Sequence, residues 1–568
     1  MKRLRIVLLV LLALFVAAIF FAEPPPVKIE PGSTLVIEVE GRYVEGASPP
    51  VFDRLLGDGR GSFTRLISTF NMAARDDRVA RVVVVIRRVG MGWAKVGEVR
   101  DAIGRLRDAG KPTIAYLDLA AFSAGREYYL ATAAEEIHVV PGGSVPLVGL
   151  AAEYLFLGGL FEKLGVEWDV AKAGRYKSAV ESYTGTEMSE AAQEMADSLL
   201  DDLNGTFLRA IADGRGLDVG EVRKLIDEGL ILPHELESRG LVDGVIHLSA
   251  LLDAQGAEVV WPDTFAGVTL EDVGIDDEVK FALVFGAGNV VEGEASRGGD
   301  PVFAARTASE AILEAAEADD IEAIILRIDS PGGSALASEQ IHDAMQRARA
   351  QGKPIIASFS DLAASGGYYA ATGADAIVSG ENTLTGSIGV FALRPALGDA
   401  LAKVGVTTVS LQRGEHADFL LSGEPLSLGA QAILDRSVQH TYALFLDRVS
   451  QSRDMEIGAV DEVAQGRVWT GRQAFERGLV DELGGLHAAV QLAKREIGLD
   501  EDADAVLVPF PPPLTFTEQL VELMQMRVRA WAWGAIPFSD SVRRLESLVS
   551  QLPAGQPLLV PPVLVEIR

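Results

Sequence analysis

The chain has 568 residues, 48% of them hydrophobic, and a formal net charge of −30 at pH 7. It is too long for one ordinary domain, and its acidic balance argues against a nucleic-acid partner, because binding phosphates requires clustered Lys and Arg. The absence of Cys excludes disulfides and thiolate chemistry, and the seven His show no metal-ligand spacing, so neither a metal nor a cofactor is expected.

The first 26 residues predict a membrane anchor. Three basic residues lie within positions 2–5, and an uninterrupted apolar run follows at 6–22. Such a run is near the lower limit for a transmembrane helix, about 17 residues, and a cut after Ala22 would put Phe20 where signal peptides carry a small residue. We therefore expect an uncleaved single-pass anchor in the inner (cytoplasmic) membrane, with the body of the chain in the periplasm. A cleaved signal peptide is the alternative, and it would also export the body.

After a proline-rich tether, the chain alternates short β-branched runs with helical patterns. A typical helical pattern covers residues 337–350. Strands that alternate with helices predict an α/β fold on largely parallel sheet. The runs that predict buried strands are residues 34–39, 82–86 and 113–116 in the first half of the chain, and residues 281–285, 323–328 and 355–358 in the second half.

The second half of the chain repeats the first. Gly-Lys-Pro occurs at 110–112 and again at 352–354, and Arg-Gly-Leu-Val-Asp occurs at 239–243 and again at 477–481. A period of about 240 residues is far longer than a solenoid unit, so it indicates duplication of a whole domain. The predicted domains are the anchor at 1–26, the first repeat at 27–265, the second repeat at 278–500, and an extension of unknown role at 501–568. An apolar pattern at 520–533 in this extension is typical of core packing, with membrane contact as the alternative.

The two repeats differ at the residues that could carry chemistry. In the common register, Lys177 of the first repeat corresponds to Ala417 of the second. The second repeat has a Ser-Gly-Gly turn at 365–367, whose counterpart around Ser123 is altered. It also has Asp-Ser-Pro-Gly-Gly-Ser at 329–334, where the first repeat has lost the proline and the paired glycines. One repeat thus keeps a lysine, and the other keeps a serine and two glycine turns.

A serine followed by two glycines fits a nucleophile on a sharp turn. Ser365 follows a predicted strand-to-loop transition, in which residues 360–362 are the loop, and the Gly366 N–H is free to face a developing oxyanion. The Gly-Gly turn at 332–333 suits a second donor. Such turns are weak signals alone, because Ser and Gly are common in ordinary turns. A serine also needs a base, and Lys177 is a candidate if burial leaves its amine neutral.

Four motifs together resemble bacterial signal peptide peptidase A (protease IV) in its long, two-domain, membrane-anchored form. They are Ser-Pro-Gly-Gly at 330–333, Ala-Ser-Gly-Gly-Tyr at 364–368, Thr-Leu-Thr-Gly-Ser-Ile-Gly at 383–389 and Tyr-Lys-Ser-Ala-Val-Glu at 176–181. The resemblance implies a tandem duplication of a Clp protease/crotonase-like α/β domain after an N-terminal transmembrane helix. It also implies the following site residues: Ser365 as nucleophile, Lys177 as general base, Ser387 as the residue that orients the lysine, and Gly366 with Gly333 as the oxyanion hole.

The same resemblance implies a function and partners. The family consists of membrane-tethered homotetramers that degrade remnant signal peptides and other hydrophobic peptides through an acyl-enzyme, with inner-membrane lipid as their surroundings. A crotonase-like acyl-CoA enzyme is an alternative, since that fold also uses Gly-rich oxyanion loops, but an exported chain meets little CoA. A non-catalytic membrane scaffold on a protease fold is a further alternative, against which the joint retention of Ser365, Lys177 and Ser387 argues.

Overall fold

The computed structural model describes residues 28–46, 61–295, 301–512 and 558–559. The predicted anchor at 1–26 and the apolar pattern at 520–533 therefore lie outside the described residues. Across the described ranges, no helix combines the length and the hydrophobicity needed to cross a membrane.

The first repeat is built on a six-stranded sheet in which every neighbouring pair of strands is parallel. From edge to edge the strands are Gly244–Val245, Glu136–Val139, Thr113–Leu117, Val79–Val89, Ser33–Gly41 and Val259–Val260. Residues 82–86 are fully buried, as expected for a parallel sheet covered on both faces, where strands are apolar throughout rather than alternating. The three strands predicted from β-branched runs in this half are confirmed.

The second repeat forms the same sheet again. Its corresponding strands, in the same order, are Glu482–Leu483, Ala376–Ser379, Ile355–Ala364, Ala323–Ser330, Lys280–Ala287 and Val506–Phe510. Two more strands, Leu384–Gly386 and Val468–Thr470, extend the sheet beside the end of Ile355–Ala364. The strand Ile355–Ala364 is longer than predicted, because residues 360–362 were expected to form a loop and instead continue the strand. The duplicated, largely parallel α/β architecture is confirmed.

Helices cover both faces of each sheet, and successive strand residues enter opposite apolar clusters. In the first sheet, for example, Val82 and Val84 pack on one face and Val83 and Val85 on the other. The helices of the first repeat are Phe63–Arg75, Trp93–Asp108, Gly125–Ala131, Gly158–Leu164, Glu181–Thr184, Glu190–Arg215, Val219–Asp227, Pro233–Ser238, Leu248–Gln255 and Pro262–Phe265. The helices of the second repeat are Ala305–Glu317, Ala335–Arg349, Gly366–Ala371, Gly398–Lys403, Leu428–Arg453, Ile457–Val463, Gly471–Phe475 and Leu486–Glu496.

The motifs that the repeats share have structural roles. Lys111 and Lys353, from the two Gly-Lys-Pro motifs, each donate hydrogen bonds to two backbone carbonyls. Asp243 and Asp481, from the two Arg-Gly-Leu-Val-Asp motifs, each accept from an arginine at the end of a long helix and from a strand N–H. Shared residues therefore stabilise the common fold, which leaves the residues that differ as candidates for chemistry.

A third sheet joins the two repeats. Its strands, in order, are Val302–Ala304, Asn289–Val291, Gly333–Ser334, Leu558–Leu559, Val390–Ala396 and Glu167–Ala173. The strand from the first repeat, Glu167–Ala173, is antiparallel to Val390–Ala396 and pairs with it along its whole length. This pairing fixes the turn after residue 173, which carries Lys177, against the segment that carries Ser387.

Candidate active site

Ser365 lies at the end of the longest strand of the second sheet. It follows Ile355–Ala364 directly and precedes the short helix Gly366–Ala371. Its backbone has φ 54° and ψ −113°, and its N–H donates to Gly386 O at 2.8 Å. A positive φ at a residue other than glycine is a strained conformation that the surrounding structure must hold. The strand, the helix and the Gly386 contact thus fix the hydroxyl at one buried position.

Lys177 approaches this serine from the other repeat. Its Nζ lies 2.7 Å from Ser365 Oγ and 3.0 Å from both the Oγ and the carbonyl oxygen of Ser387. The turn that carries Lys177 is tied to the second repeat, since the Tyr176 N–H donates to Gln465 O at 2.7 Å. The structure therefore brings together, within one chain, the lysine and the serine that the two repeats keep separately.

The surroundings of Lys177 favour a neutral amine. The side chain is completely buried, and burial holds the pKa of Lys177 well below its ordinary value. The three contacts of Nζ are uncharged oxygens of Ser365 and Ser387, so none of them is a carboxylate that would favour the ammonium form. A neutral amine can donate its two N–H groups to Ser387 and direct its lone pair at the Ser365 hydroxyl. This is the arrangement that removes a proton from a serine.

Gly333 and Gly366 bring two backbones into close contact beside Ser365. A Cβ at Gly366 would lie 3.0 Å from Gly333 N and 2.7 Å from Ser338 Oγ. A Cβ at Gly333 would lie 2.1 Å from Val290 O. Only glycine allows both approaches, and Gly366 is the first residue of a helix, whose N–H has no partner within that helix. The two glycines named from the sequence are therefore neighbours in space.

The first-repeat counterparts lie away from this chemistry. Ser123 is exposed, in the loop before the helix Gly125–Ala131. In the second repeat, Ala417 begins a partly exposed 3-10 turn. Neither position adds a group to the Ser365 site.

The sequence reasoning missed a buried charged cluster between the repeats. Arg327 is completely buried and donates to Glu98 at 2.5 Å and to Glu45 at 3.1 Å, and both carboxylates belong to the first repeat. Burial alone would lower the pKa of Arg327, but these two carboxylates raise it above its ordinary value. The available signal was an arginine inside an otherwise apolar strand, because such a charge must find a partner.

We expect Ser387→Ala to lower kcat by up to about 100-fold, because a base displaced by about 1 Å loses that much activity. The change removes one of the two acceptors of the Lys177 amine. An acceptor favours the charged form, so its loss should lower the pKa of Lys177 further. The acidic limb of the kcat profile should therefore move to lower pH, which a pH series of initial rates measures.

Thr385→Val is the matched control for this change, because the Thr385 hydroxyl is buried nearby but donates to Ala363 O rather than contacting the lysine. The control should leave the acidic limb in place. An unchanged limb in Ser387→Ala would show that Ser387 does not orient the amine.

The fold and the site together define a serine protease. The model of peptidase family S49 matches residues 105–258 and 347–500, more than half of the chain and once in each repeat. The chain belongs to this family. The membership confirms the resemblance drawn from the four motifs, and it decides against the acyl-CoA enzyme and the non-catalytic scaffold.

Named relatives agree with this membership. A chloroplastic serine protease SPPA of Arabidopsis thaliana is 34% identical over 502 residues, covering 86% of this chain and 72% of the relative. Protease 4 of Haemophilus influenzae is 32% identical over 469 residues, covering 77% of this chain and 74% of the relative. A putative signal peptide peptidase SppA of Enterococcus faecium is 34% identical over 190 residues, covering 34% of this chain and 54% of the relative.

Two solved structures are examples of those that are similar to part of the chain. A mutant of the 1510-N membrane-bound stomatin-specific protease, in complex with a substrate peptide, has 16% identity and a TM-score of 0.27, and the match covers 44% of this chain and 98% of that one. A ClpP1 mutant from Listeria monocytogenes has 14% identity and a TM-score of 0.24, and the match covers 37% of this chain and 94% of that one.

Proposed function

We propose that the chain is a Ser/Lys endopeptidase in which Ser365 is the nucleophile, Lys177 the general base and Ser387 the residue that orients the lysine. The observation that carries the proposal is the 2.7 Å contact between Lys177 Nζ and Ser365 Oγ, both completely buried. Gly366 and Gly333 supply the N–H groups of the oxyanion hole, which is supported by their mutual contact beside Ser365.

The reaction follows from these positions. The neutral Lys177 amine takes the hydroxyl proton as Ser365 Oγ attacks the peptide carbonyl carbon, and the N–H groups of Gly366 and Gly333 stabilise the oxyanion. The C–N bond then breaks, and the Lys177 ammonium gives its proton to the leaving amine. Water attacks the resulting ester with Lys177 again as base, which releases the acid and restores Ser365.

A substrate in this site binds as an extended strand. Support comes from the third sheet, in which the backbone of residues 558–559 pairs with Gly333–Ser334 on one side and with Phe391 on the other, antiparallel to both. The space between these two edges thus accepts one extended chain next to Gly333. Adding a strand to free sheet edges is a general way of binding peptides, in which main-chain hydrogen bonds give affinity and side-chain pockets give specificity.

The substrates in this proposal are remnant signal peptides and other hydrophobic peptides. Support comes from the relative named as a signal peptide peptidase.

The proposal includes an anchor at residues 1–26 in the inner membrane, the domain limits predicted above, and a periplasmic homotetramer. Large exposed apolar side chains such as Phe122, Leu155 and Leu411 are available for contacts between copies.

The test compares two synthetic peptides with the full chain in detergent. One is a signal peptide, and the other has the same length and charges but Ser and Gln in place of its apolar core. We expect kcat/KM to be at least about tenfold higher for the apolar peptide, because a site that binds apolar side chains discriminates by roughly that factor or more. Equal cleavage of both peptides would overturn the substrate assignment. If neither were cleaved by a chain that a serine-reactive probe labels, the endopeptidase proposal itself would fail.

A further inference from the structure

A second buried lysine of the first repeat contacts the two strands that lead into the active-site loops. Lys95 belongs to the helix Trp93–Asp108 and is only 3% exposed. Its Nζ lies 2.5 Å from Asp329 Oδ2 and 3.1 Å from Asp361 Oδ2, and both carboxylates belong to the second repeat. One ammonium group therefore joins two neighbouring strands of the other repeat.

Each of these carboxylates stands just before an active-site loop. Asp329 is near the end of the strand Ala323–Ser330, which leads into the turn containing Gly333. Asp361 is four residues before Ser365 on the strand Ile355–Ala364. Asp329 also accepts the Leu362 N–H at 3.2 Å, so it links the two strands directly.

The helix that carries Lys95 strengthens the contact through its first turn. The N–H groups of Gly92 and Lys95 both donate to Asp361, each at 2.9 Å. A carboxylate is favoured at this end of a helix because the unpaired N–H groups and the helix dipole both attract a negative charge. Asp361 is thus held by three donors from the first repeat.

Lys95 and Lys177 have opposite electrostatic surroundings. Burial alone would lower the pKa of both, but Asp329, Asp361 and Glu45 raise the pKa of Lys95 above its ordinary value. These carboxylates favour the charged form of Lys95, whereas burial without a carboxylate favours a neutral Lys177. A group that stays charged is unsuited to act as a base but well suited to fix two carboxylates.

We propose that Lys95 is a positioning residue of the active site: through Asp329 and Asp361 it sets the Gly333 turn and the Ser365 strand relative to each other. This inference rests on the proposed roles of Ser365 and Gly333. Because Gly333 and the nucleophile follow different strands, their separation depends on such a cross-link. Rigid support of this kind matters, since a displacement of about 1 Å at a catalytic group lowers the rate by about 100-fold.

The test measures kcat per active site, with sites counted by covalent labelling with a fluorophosphonate probe. Lys95→Met should lower kcat per labelled site by about 100-fold with KM within about threefold of wild type, because an oxyanion donor contributes to the transition state and not to substrate binding. Lys95→Arg should recover most of the loss, since a guanidinium can also bridge two carboxylates. A purely structural role would lower the number of labelled sites and leave kcat per site unchanged, and that result would overturn the proposal.

Arg105→Met is the matched control, because Arg105 is a cation on the same helix whose hydrogen bonds go to Asn71 of the first repeat and not to the strands that carry Asp329 and Asp361. It should keep kcat per site within about twofold of wild type. If Lys95→Met does not fold, Asp329→Asn tests the same link with an isosteric change and should also lower kcat per site. Labelling of Ser365→Ala by the probe would show that the proposed nucleophile is wrong, which separates that failure from failure of the Lys95 proposal.

Discussion

Ser365→Ala is expected to lower kcat by about 10⁶-fold, the loss found when the nucleophile of a serine protease is removed. The reason is that Ser365 Oγ contacts the Lys177 amine, and Ser365 directly precedes Gly366, the proposed oxyanion donor. The change deletes one buried oxygen and leaves the strained backbone of residue 365 as it is. The melting temperature should therefore change little. Release of product from a fluorogenic peptide measures kcat, and a fluorophosphonate probe measures covalent labelling.

Ser123→Ala is the matched control, since Ser123 is the first-repeat counterpart and is exposed. It should leave both hydrolysis and labelling at wild-type levels. Persistent labelling of Ser365→Ala would mean that another residue is the nucleophile.

Lys177→Met should lower kcat by about 10⁴-fold, the upper end of the usual contribution of a general base. Methionine preserves much of the apolar volume of the lysine side chain but cannot accept the Ser365 proton. In the wild-type chain, kcat/KM should rise with pH through the lowered pKa of Lys177, because only the neutral amine acts as a base. This acidic limb should be absent from the residual activity of Lys177→Met, which a pH series of kcat/KM measures.

The same substitution should remove a pH-dependent cost to stability, that of burying the lysine amine. The pKa of Lys177 is lowered in the folded state, so between that value and the unfolded value, about 10.4, the unfolded chain binds more protons than the folded chain. The wild-type free energy of unfolding therefore rises with pH in this window. Lys177→Met lacks this term, so its stability relative to wild type should be highest at the low end of the window and should fall towards the high end. Urea unfolding at several pH values measures it.

Lys111→Met is the control for removing a buried lysine. Lys111 is 8% exposed, and burial also lowers its pKa, but it donates to the backbone carbonyls of Asp76 and Val79. It should keep kcat per labelled site near wild type and should lose stability, because two carbonyls lose their donor. If Lys177→Met kept near-wild-type turnover, the base would have to be another group.

The local pattern of the sequence was sufficient to predict the fold. The β-branched runs at 82–86 and 323–328 became the buried central strands Val79–Val89 and Ala323–Ser330, because parallel strands covered on both faces must be apolar along their length. The continuation of the strand to Ala364 was not predicted. Ser360 and Asp361 are polar, and polar residues are typical of loops unless another part of the fold supplies their hydrogen-bond partners.

The differences between the two repeats were sufficient to select the lysine and the serine of the site. Shared motifs proved to stabilise each domain, as at Lys111 and Lys353, whereas the differences selected Lys177 and Ser365. The proposed role of Ser387 came only from the resemblance to the family, because no spacing in the sequence relates residue 177 to residue 387. The Gly-Gly turn at 332–333 already suggested a second oxyanion donor.

The sequence by itself determined the duplication, the α/β class and the family, and it predicted the pair Lys177 and Ser365. Only the tertiary structure decided that this pair meets within one chain at 2.7 Å and that the lysine is completely buried. It alone showed that Lys95 joins Asp329 to Asp361 across the repeats. The physical reason is that pattern and propensity act over a few neighbouring residues, whereas burial, pKa and ion pairing depend on groups that folding brings together from distant parts of the chain.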